Sequence, residues 1–301
     1  MFALKNKLQR TLFDQQVREV LLTRPIPPDP LSPLHLLSQL QHKDVRMYLV
    51  AAKSFLVRVP AGRITVLNDG SLTPEDEALL RSQFLGVTIR PITDFRSPRC
   101  PVGGCWERLQ AIAAFSADGY VIQLDTDTVT LNDLAEVRQA IVDDTSFCIG
   151  TWDEQRVEPM LDRARDAKLL NEPDITHVQV LAEQAFDQIK GVESLRYARG
   201  CAGFSGFAKD SVRQDFIEHF SEQMTTLIGS KWSAWGSEQV MSNVVVANGA
   251  RSTVLPHPKY CDCEHITPET KFVHFIGSCR FTGGAYARMS RVAIDHLLVA
   301  A

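Results

Sequence analysis

An α/β domain built on a mostly parallel central sheet flanked by helices is the fold class this sequence predicts. Two observations carry that expectation. Short β-rich runs alternate with helical patterns as far as residue 150, the order expected of a sheet covered by helices. The apolar run Tyr120-Val-Ile-Gln-Leu124 then stops abruptly in two carboxylates, Asp125 and Asp127, one residue apart. A segment of that kind reads as the C-terminal tip of a buried parallel strand, the edge at which open α/β sheets bind ligands.

The elements follow in order. Residues 1–23 read as a helix with Leu4, Leu8, Leu12 and Phe13 near helical spacing, and the prolines from Pro25 to Pro33 make a stiff connection after it. Leu34–Leu37 is the first strand and Asp44–Phe55 a helix. Gly62–Leu67 is the second strand, stopped by Asn68-Asp69-Gly70. Thr73, Pro74 and Asp76 have capping-box spacing for the next helix. Gly86–Arg90 is a third strand. Cys105–Phe115 is a helix feeding the strand that ends at Asp125, and a helix running to Val142 precedes the strand Ser146–Gly150. Residues 152–196 are more polar, with Arg156, Asp162, Arg163, Arg165, Asp166 and Lys168, and read as solvated helices and loops. Asp210–Ile228 and Ser237–Val246 are helical, and Arg251–Leu255 reads as a strand. No composition break marks a second domain, so the chain divides into an N-terminal helix and connection (1–33) and one domain over 34–290.

Composition excludes some functions. A net charge of -4 with no basic stripe gives no support to nucleic-acid binding. Seven cysteines, an odd number in a chain of 301 residues, suit a reducing cytoplasm better than a disulfide scaffold. No run of 18 apolar residues is present, so no transmembrane helix is expected. The basic start, Met1 to Arg10, reads as packing on its own domain in preference to lying on a membrane surface, which leaves a cytoplasmic or membrane-peripheral protein as the expectation.

Paired carboxylates at a strand tip repel each other unless a cation sits between them. Oxygen-rich sites suit Mg²⁺ or Mn²⁺, which commonly hold a substrate diphosphate as well. An ordinary Asp-rich turn is the alternative. Asp69, in the loop after the second strand, is a candidate ligand contact on the same cleft or simply part of a turn. Arg108 and Lys53 are candidates to neutralise phosphate, or surface cations. Gly200-Cys-Ala-Gly-Phe-Ser-Gly206 reads either as the floor of a sugar pocket, through Gly203, Ser205 and Gly206, or as a tight turn. His274 sits in an apolar run and is either a metal ligand beside Asp127 or a core histidine. Cys261, Cys263 and His265 resemble part of a zinc site, but a fourth ligand is missing nearby and a compact loop is the other reading.

Together these segments resemble the nucleotide-sugar-dependent glycosyltransferases of the GT-A, Rossmann-like fold, and in particular the glycogenin and bacterial galactosyltransferase-like group. The resemblance covers roughly residues 34 to 280. It rests on Asn68-Asp-Gly-Ser-Leu72, the Arg108 helix, Leu124-Asp-Thr-Asp127, Gly203-Phe-Ser-Gly206, Trp235-Gly-Ser-Glu-Gln-Val-Met-Ser-Asn243 and His274-Phe-Ile-Gly277. It implies that Asp125, Asp127 and His274 hold Mn²⁺, with Mg²⁺ the alternative, and that the metal bridges the diphosphate of a UDP-hexose. The group usually has a lysine shortly after His-x-x-Gly, where this chain offers Arg280. It often has Asp-Gln-Asp where this chain has Ser237-Glu238-Gln239.

The implied reaction moves a glycosyl group to an acceptor hydroxyl, with Arg108, Lys53 or Arg280 supporting the departing diphosphate. An inverting reaction needs a general base, for which Glu238, Asp210 and Asp153 are the candidates. In a retaining reaction Glu238 or Gln239 orients the acceptor or the sugar. The acceptor is a glycan, a lipid-linked sugar or a protein, and residues 152–196 and 200–206 frame its entrance. Two other readings stay open. A nucleotidyltransferase shares the metal and nucleotide, but residues 34–44 supply no basic Gly-rich loop. A non-catalytic α/β binding protein keeps Asp125 and Asp127 as a surface turn.

Overall fold

The computed structural model describes residues 2–170, 176–277 and 279–299. Its strands are β1 (Leu34–Leu40), β2 (Arg63–Asn68), β3 (Thr88–Pro91), β4 (Tyr120–Leu124), β5 (Thr128–Thr130), β6 (Ser146–Ile149), β7 (Glu158–Pro159), β8 (Arg196–Tyr197), β9 (Cys201–Phe207), β10 (Ser252–Leu255), β11 (Tyr260–Asp262) and β12 (Phe272–His274). The helices are α1 (Phe2–Gln16), α2 (Val45–Leu56), α3 (Pro74–Gln83), α4 (Trp106–Ser116), α5 (Ala135–Val142), α6 (Met160–Leu169), α7 (Val178–Ala185), α8 (Gln214–Ile228), α9 (Ser237–Ala247) and α10 (Ala285–Val299).

Local chemistry explains several boundaries. The Thr73 hydroxyl accepts from the Asp76 amide at 3.2 Å, and the Asp76 carboxylate accepts from the Thr73 amide at 2.9 Å, so α3 starts with the capping box its sequence predicts. The helix expected over 1–23 ends at Gln16. Beyond it the chain tightens into a 3₁₀ stretch over Arg18–Leu22, where the Val20 amide bonds back three residues to the Val17 carbonyl.

Seven strands form one sheet in the order β10-β6-β9-β4-β1-β2-β3. The sheet is mixed. β1, β2, β3 and β4 are parallel neighbours, as are β6 and β10, but β9 runs antiparallel to both β4 and β6. The chain leaves β6 through α6 and α7 and enters β9 at the same edge of the sheet, with Ile149 opposite Cys201. This reversal places the start of β9 beside the C-terminal end of β4, with Leu124 opposite Phe204. A smaller sheet, β11-β12-β5, lies beyond that edge. There β12 runs antiparallel to β5 and sets His274 opposite Thr128.

Both faces of the large sheet are buried. Consecutive residues of one strand enter different cores, because side chains alternate across a sheet. Leu36 and Ile122 pack with Tyr48, Phe55, Phe204 and Tyr286 on one side, and Leu37 and Val121 with Trp106, Phe207 and Trp232 on the other. The first core also takes in α10 through Ala293 and Ile294, and Phe13 of α1 stacks on Tyr286 at 4.2 Å. The polar 152–196 region supplies Met160, Ala164, Ala182 and Phe186 to the second core, so α6 and α7 are packed elements. Residues 171–175 of that region lie outside the described residues. No helix among the described residues is long and apolar enough to cross a membrane.

Lys53 and His35 are among the buried polar side chains of this framework. Lys53, fully buried on α2, directs its ammonium to the Thr23 hydroxyl at 2.7 Å and the Arg24 carbonyl at 2.9 Å. It fastens the start of the proline-rich connection, so its charge is committed to structure and not to a phosphate. His35 on β1 bonds the Thr65 hydroxyl at 2.8 Å, and burial lowers its pKa to about 4 from the usual 6.5. The unfolded chain therefore binds the extra proton more readily between those values. The stability this neutral imidazole provides is present above pH 6.5 and is lost as pH falls through 4. The loss is expected to reach about 3 kcal/mol. Urea melts of the wild type and His35→Gln at pH 7 and pH 4 check it, the variant showing the smaller fall in stability between them.

Candidate metal centre and cleft

The site forms where the reversed β9, the β4–β5 connection, β12 and the starts of α4 and α9 meet. Asp125 and Asp127 lie between β4, which ends at Leu124, and β5, which begins at Thr128. The Asp125 amide donates to the Gly203 carbonyl at 2.8 Å, and the Phe275 amide to the Asp127 carbonyl at 2.8 Å. These bonds tie the two-aspartate loop to β9 on one side and to the chain after His274 on the other.

His274 Nε2 is 3.2 Å from Asp127 Oδ1 and 3.7 Å from Asp125 Oδ2. One potential ligand atom from each of the three residues lies within 4.8 Å of the others. The imidazole lies flat against Gly203: a Cβ there would come within 2.2 Å of a ring carbon. Glycine is needed at this position for space.

Charge is balanced by two arginines. Arg108 on α4 contacts Asp125 and reaches Glu238 on α9 at 3.2 Å. Arg280 contacts Asp127 and donates from Nε to the Phe275 carbonyl at 3.2 Å. Burial works to raise the Asp127 pKa, but His274 and Arg280 outweigh it and hold the carboxyl below its ordinary range. Burial pushes Glu238 up to about 7 against the pull of Arg108. Glu238 Oε1 is buried and has no hydrogen-bond partner, an expensive state unless a ligand donates to it.

The donor set fits a divalent cation. Two carboxylates from one loop and an imidazole from the end of β12 are a donor set that a divalent cation can use, and backbone hydrogen bonds hold both segments in place. Among the described residues this is the one such group, so Cys261, Cys263 and His265 do not make a second centre. Cys263 is instead joined to Cys279 by a disulfide, against the expectation of free thiols, and His265 bonds the Asp262 carboxylate at 2.8 Å.

Of the residues singled out in the sequence, Arg108, Asp125, Asp127, Gly203, Glu238, Gln239, His274 and Arg280 all line this one cleft. The others lie elsewhere. Asp69 folds back on the Ser71 amide and hydroxyl at 2.9 and 2.6 Å, the turn its neighbours favour. Asp153 pairs with His257 at 2.6 Å on the surface. Asp210 has a left-handed backbone (φ 56°) and its amide bonds the Ser116 carbonyl. Ser205 is fully buried, and Gly206 packs against the Phe147 ring, which a Cβ would meet at 2.3 Å. Both belong to the sheet interior and not to a sugar pocket. No described residue of 152–196 lines the cleft.

Sequence reasoning passed over Gln39, Gln41, Asp44, Cys201 and Trp235, all of which do. Gln39 sits near the C-terminal end of β1, where strand-end logic points. Trp235 is 80% exposed on the rim; its sequence signal was its place at the head of the 235–243 segment, where no role was given to it.

Comparison with solved structures finds this fold in a glycosyltransferase. The bifunctional enzyme WbbM, in its apo structure, superposes with a TM-score of 0.51 at 14% identity, over 84% of this chain and 47% of that one. The chain thus spans about half the length of that protein. The galactosyltransferase LgtC, solved with donor and acceptor sugar analogs, gives a TM-score of 0.48 at 14% identity over 86% and 95% of the two chains. Mouse xyloside xylosyltransferase 1 gives 0.44 at 10% identity over 85% and 99%. No protein-family model matches the chain, and no curated protein matches its sequence. The chain has a GT-A-like glycosyltransferase fold carrying a candidate divalent-metal centre.

Proposed function

We propose that the protein transfers a glycosyl group from a nucleoside-diphosphate sugar, a UDP-hexose, to an acceptor hydroxyl. The single observation that carries this reading is the convergence of Asp125, Asp127 and His274 in a cleft at the edge where β4 ends. Asp125, Asp127 and His274 would hold Mn²⁺ there, and the ion would supply Lewis-acid stabilisation of the departing diphosphate. Arg280 and Arg108 add fixed positive charge beside it. Glu238 receives a hydroxyl proton or hydrogen bond at its unpartnered Oε1 while Arg108 holds Oε2, and Gln239 lines the same cleft. The fold likeness and the donor set support this reading over a nucleotidyltransferase, for which residues 34–44 offer no basic Gly-rich loop.

Calorimetric titration of UDP with and without Mn²⁺ tests the donor half. UDP is expected to bind at least about tenfold more tightly with the metal, because a diphosphate and a cation that share a site each strengthen the other. Equal affinities sink the shared site. For the acceptor half, Trp235 offers a flat apolar face on the rim to the CH side of a pyranose. Trp235→Ala is expected to raise the acceptor KM several-fold and to leave UDP–Mn²⁺ affinity unchanged. An unchanged KM removes Trp235 from the acceptor site.

A further inference from the structure

We infer that Cys201 is the residue that sets the imidazole of His274 for metal binding, a positioning residue one step behind the metal centre. The inference rests on the metal reading above and extends it to a side chain that no metal needs to touch.

The geometry is explicit. Cys201 opens β9 and is half-buried at the cleft floor. Its Sγ lies 2.8 Å from His274 Nδ1, while Nε2 of the same ring faces Asp127 and Asp125. An imidazole can offer Nε2 as a ligand only when its proton is on Nδ1, and that N–H then needs an acceptor. Metal-binding histidines almost always donate it to a carboxylate, a carbonyl or water, which fixes both tautomer and ring orientation. Here the sulfur takes that place. Gly203 closes one face of the ring and pairing of β12 with β5 fixes the backbone beneath it, so rotation of the ring is held by Asp127 at Nε2 and by Cys201 at Nδ1. The reversed direction of β9 makes this possible, since it brings the start of that strand to the edge carrying Asp125 and Asp127.

The test measures Mn²⁺ affinity of the full chain by the electron-paramagnetic signal of free Mn²⁺, with no turnover required. Wild type, Cys201→Ala and Cys201→Asn are compared, with melting temperature recorded for each. Losing such an outer partner costs roughly 10- to 100-fold in metal affinity. Cys201→Ala is expected to show that loss, and Cys201→Asn, whose side-chain carbonyl accepts from Nδ1, to recover most of it. In metal-free, ¹⁵N-histidine-labelled protein, the His274 Nδ1 resonance is expected to move in the alanine variant and to return toward its original position in the asparagine variant. Wild-type affinity in Cys201→Ala overturns the inference and leaves the metal centre standing. Equal losses in both variants, each with a lowered melting temperature, also overturn it, because they show packing alone. A wild type that binds no Mn²⁺ overturns the metal reading itself, and the inference falls with it.

Discussion

Asp127→Asn is expected to lower Mn²⁺ affinity by more than about 100-fold, because loss of outer-shell partners alone already costs 10- to 100-fold. Asp127 is nearly fully buried, lies 3.2 Å from His274 Nε2, and contacts Arg280. The amide keeps the shape of the side chain and removes its negative charge, so Arg280 loses its counter-ion and a divalent ion loses a ligand. Donor-sugar hydrolysis is expected to fall with the affinity, since leaving-group stabilisation depends on the ion. The backbone bond from the Phe275 amide to the Asp127 carbonyl is untouched, so the fold is retained. Calorimetry with Mn²⁺, hydrolysis of a UDP-hexose and thermal melting give the three readouts. A variant with wild-type affinity removes Asp127 from the metal centre.

Gly203→Ala is expected to be nearly as damaging and for a different reason. The added methyl would sit 2.2–2.7 Å from three atoms of the His274 ring, far inside van der Waals contact. The ring cannot retreat without breaking its contact with Cys201 or the pairing of β12 with β5. Overpacking of this kind costs about 1–3 kcal/mol. The variant is expected to melt several degrees lower and to bind Mn²⁺ poorly. The steric cause is separable by a double-mutant cycle: adding His274→Ala to Gly203→Ala should recover the melting temperature lost to the clash. If the double variant is destabilised by the sum of the two single effects, the ring is not what the methyl meets.

The sequence was most legible where chemistry is local. A strand that ends in carboxylates, a capping box and a helix rich in small apolar residues all declare themselves within a few positions, and β4, α3 and α4 lie where they were expected. Asp125, Asp127 and His274 come together because each stands at the edge of a β segment whose end can be read from hydrophobicity alone. The failures share a physical origin. A charged or glycine-rich residue near a predicted strand end was taken to face the cleft, but facing depends on pairing. Lys53 points to the proline-rich connection because α2 packs its whole surface into the protein. Ser205 and Gly206 are interior because β9 is a central strand, and nothing within 201–207 announces that it runs antiparallel. That direction is a property of how the chain returns through α6 and α7. Cys201 was invisible for the same reason, since its partner lies 73 residues away. The disulfide between Cys263 and Cys279 was hidden by an odd cysteine count, which speaks to totals and not to individual pairs.

The pairing of β12 with β5 has a consequence for how the metal centre comes into being. Asp127 and His274 are separated by almost half the chain, and the strands that carry them meet only after everything between has been laid down. Closing so long a loop is slow, and its entropy must be met before the contact yields anything in return. A partly folded chain thus has the aspartates but no centre, and metal ions recognise only the completed molecule. Any ion that binds the finished site and not its precursors draws the population toward the native state by mass action. A cation held by Asp125, Asp127 and His274 would then be a clasp on the fold, and its free concentration would add to the stability of the native state.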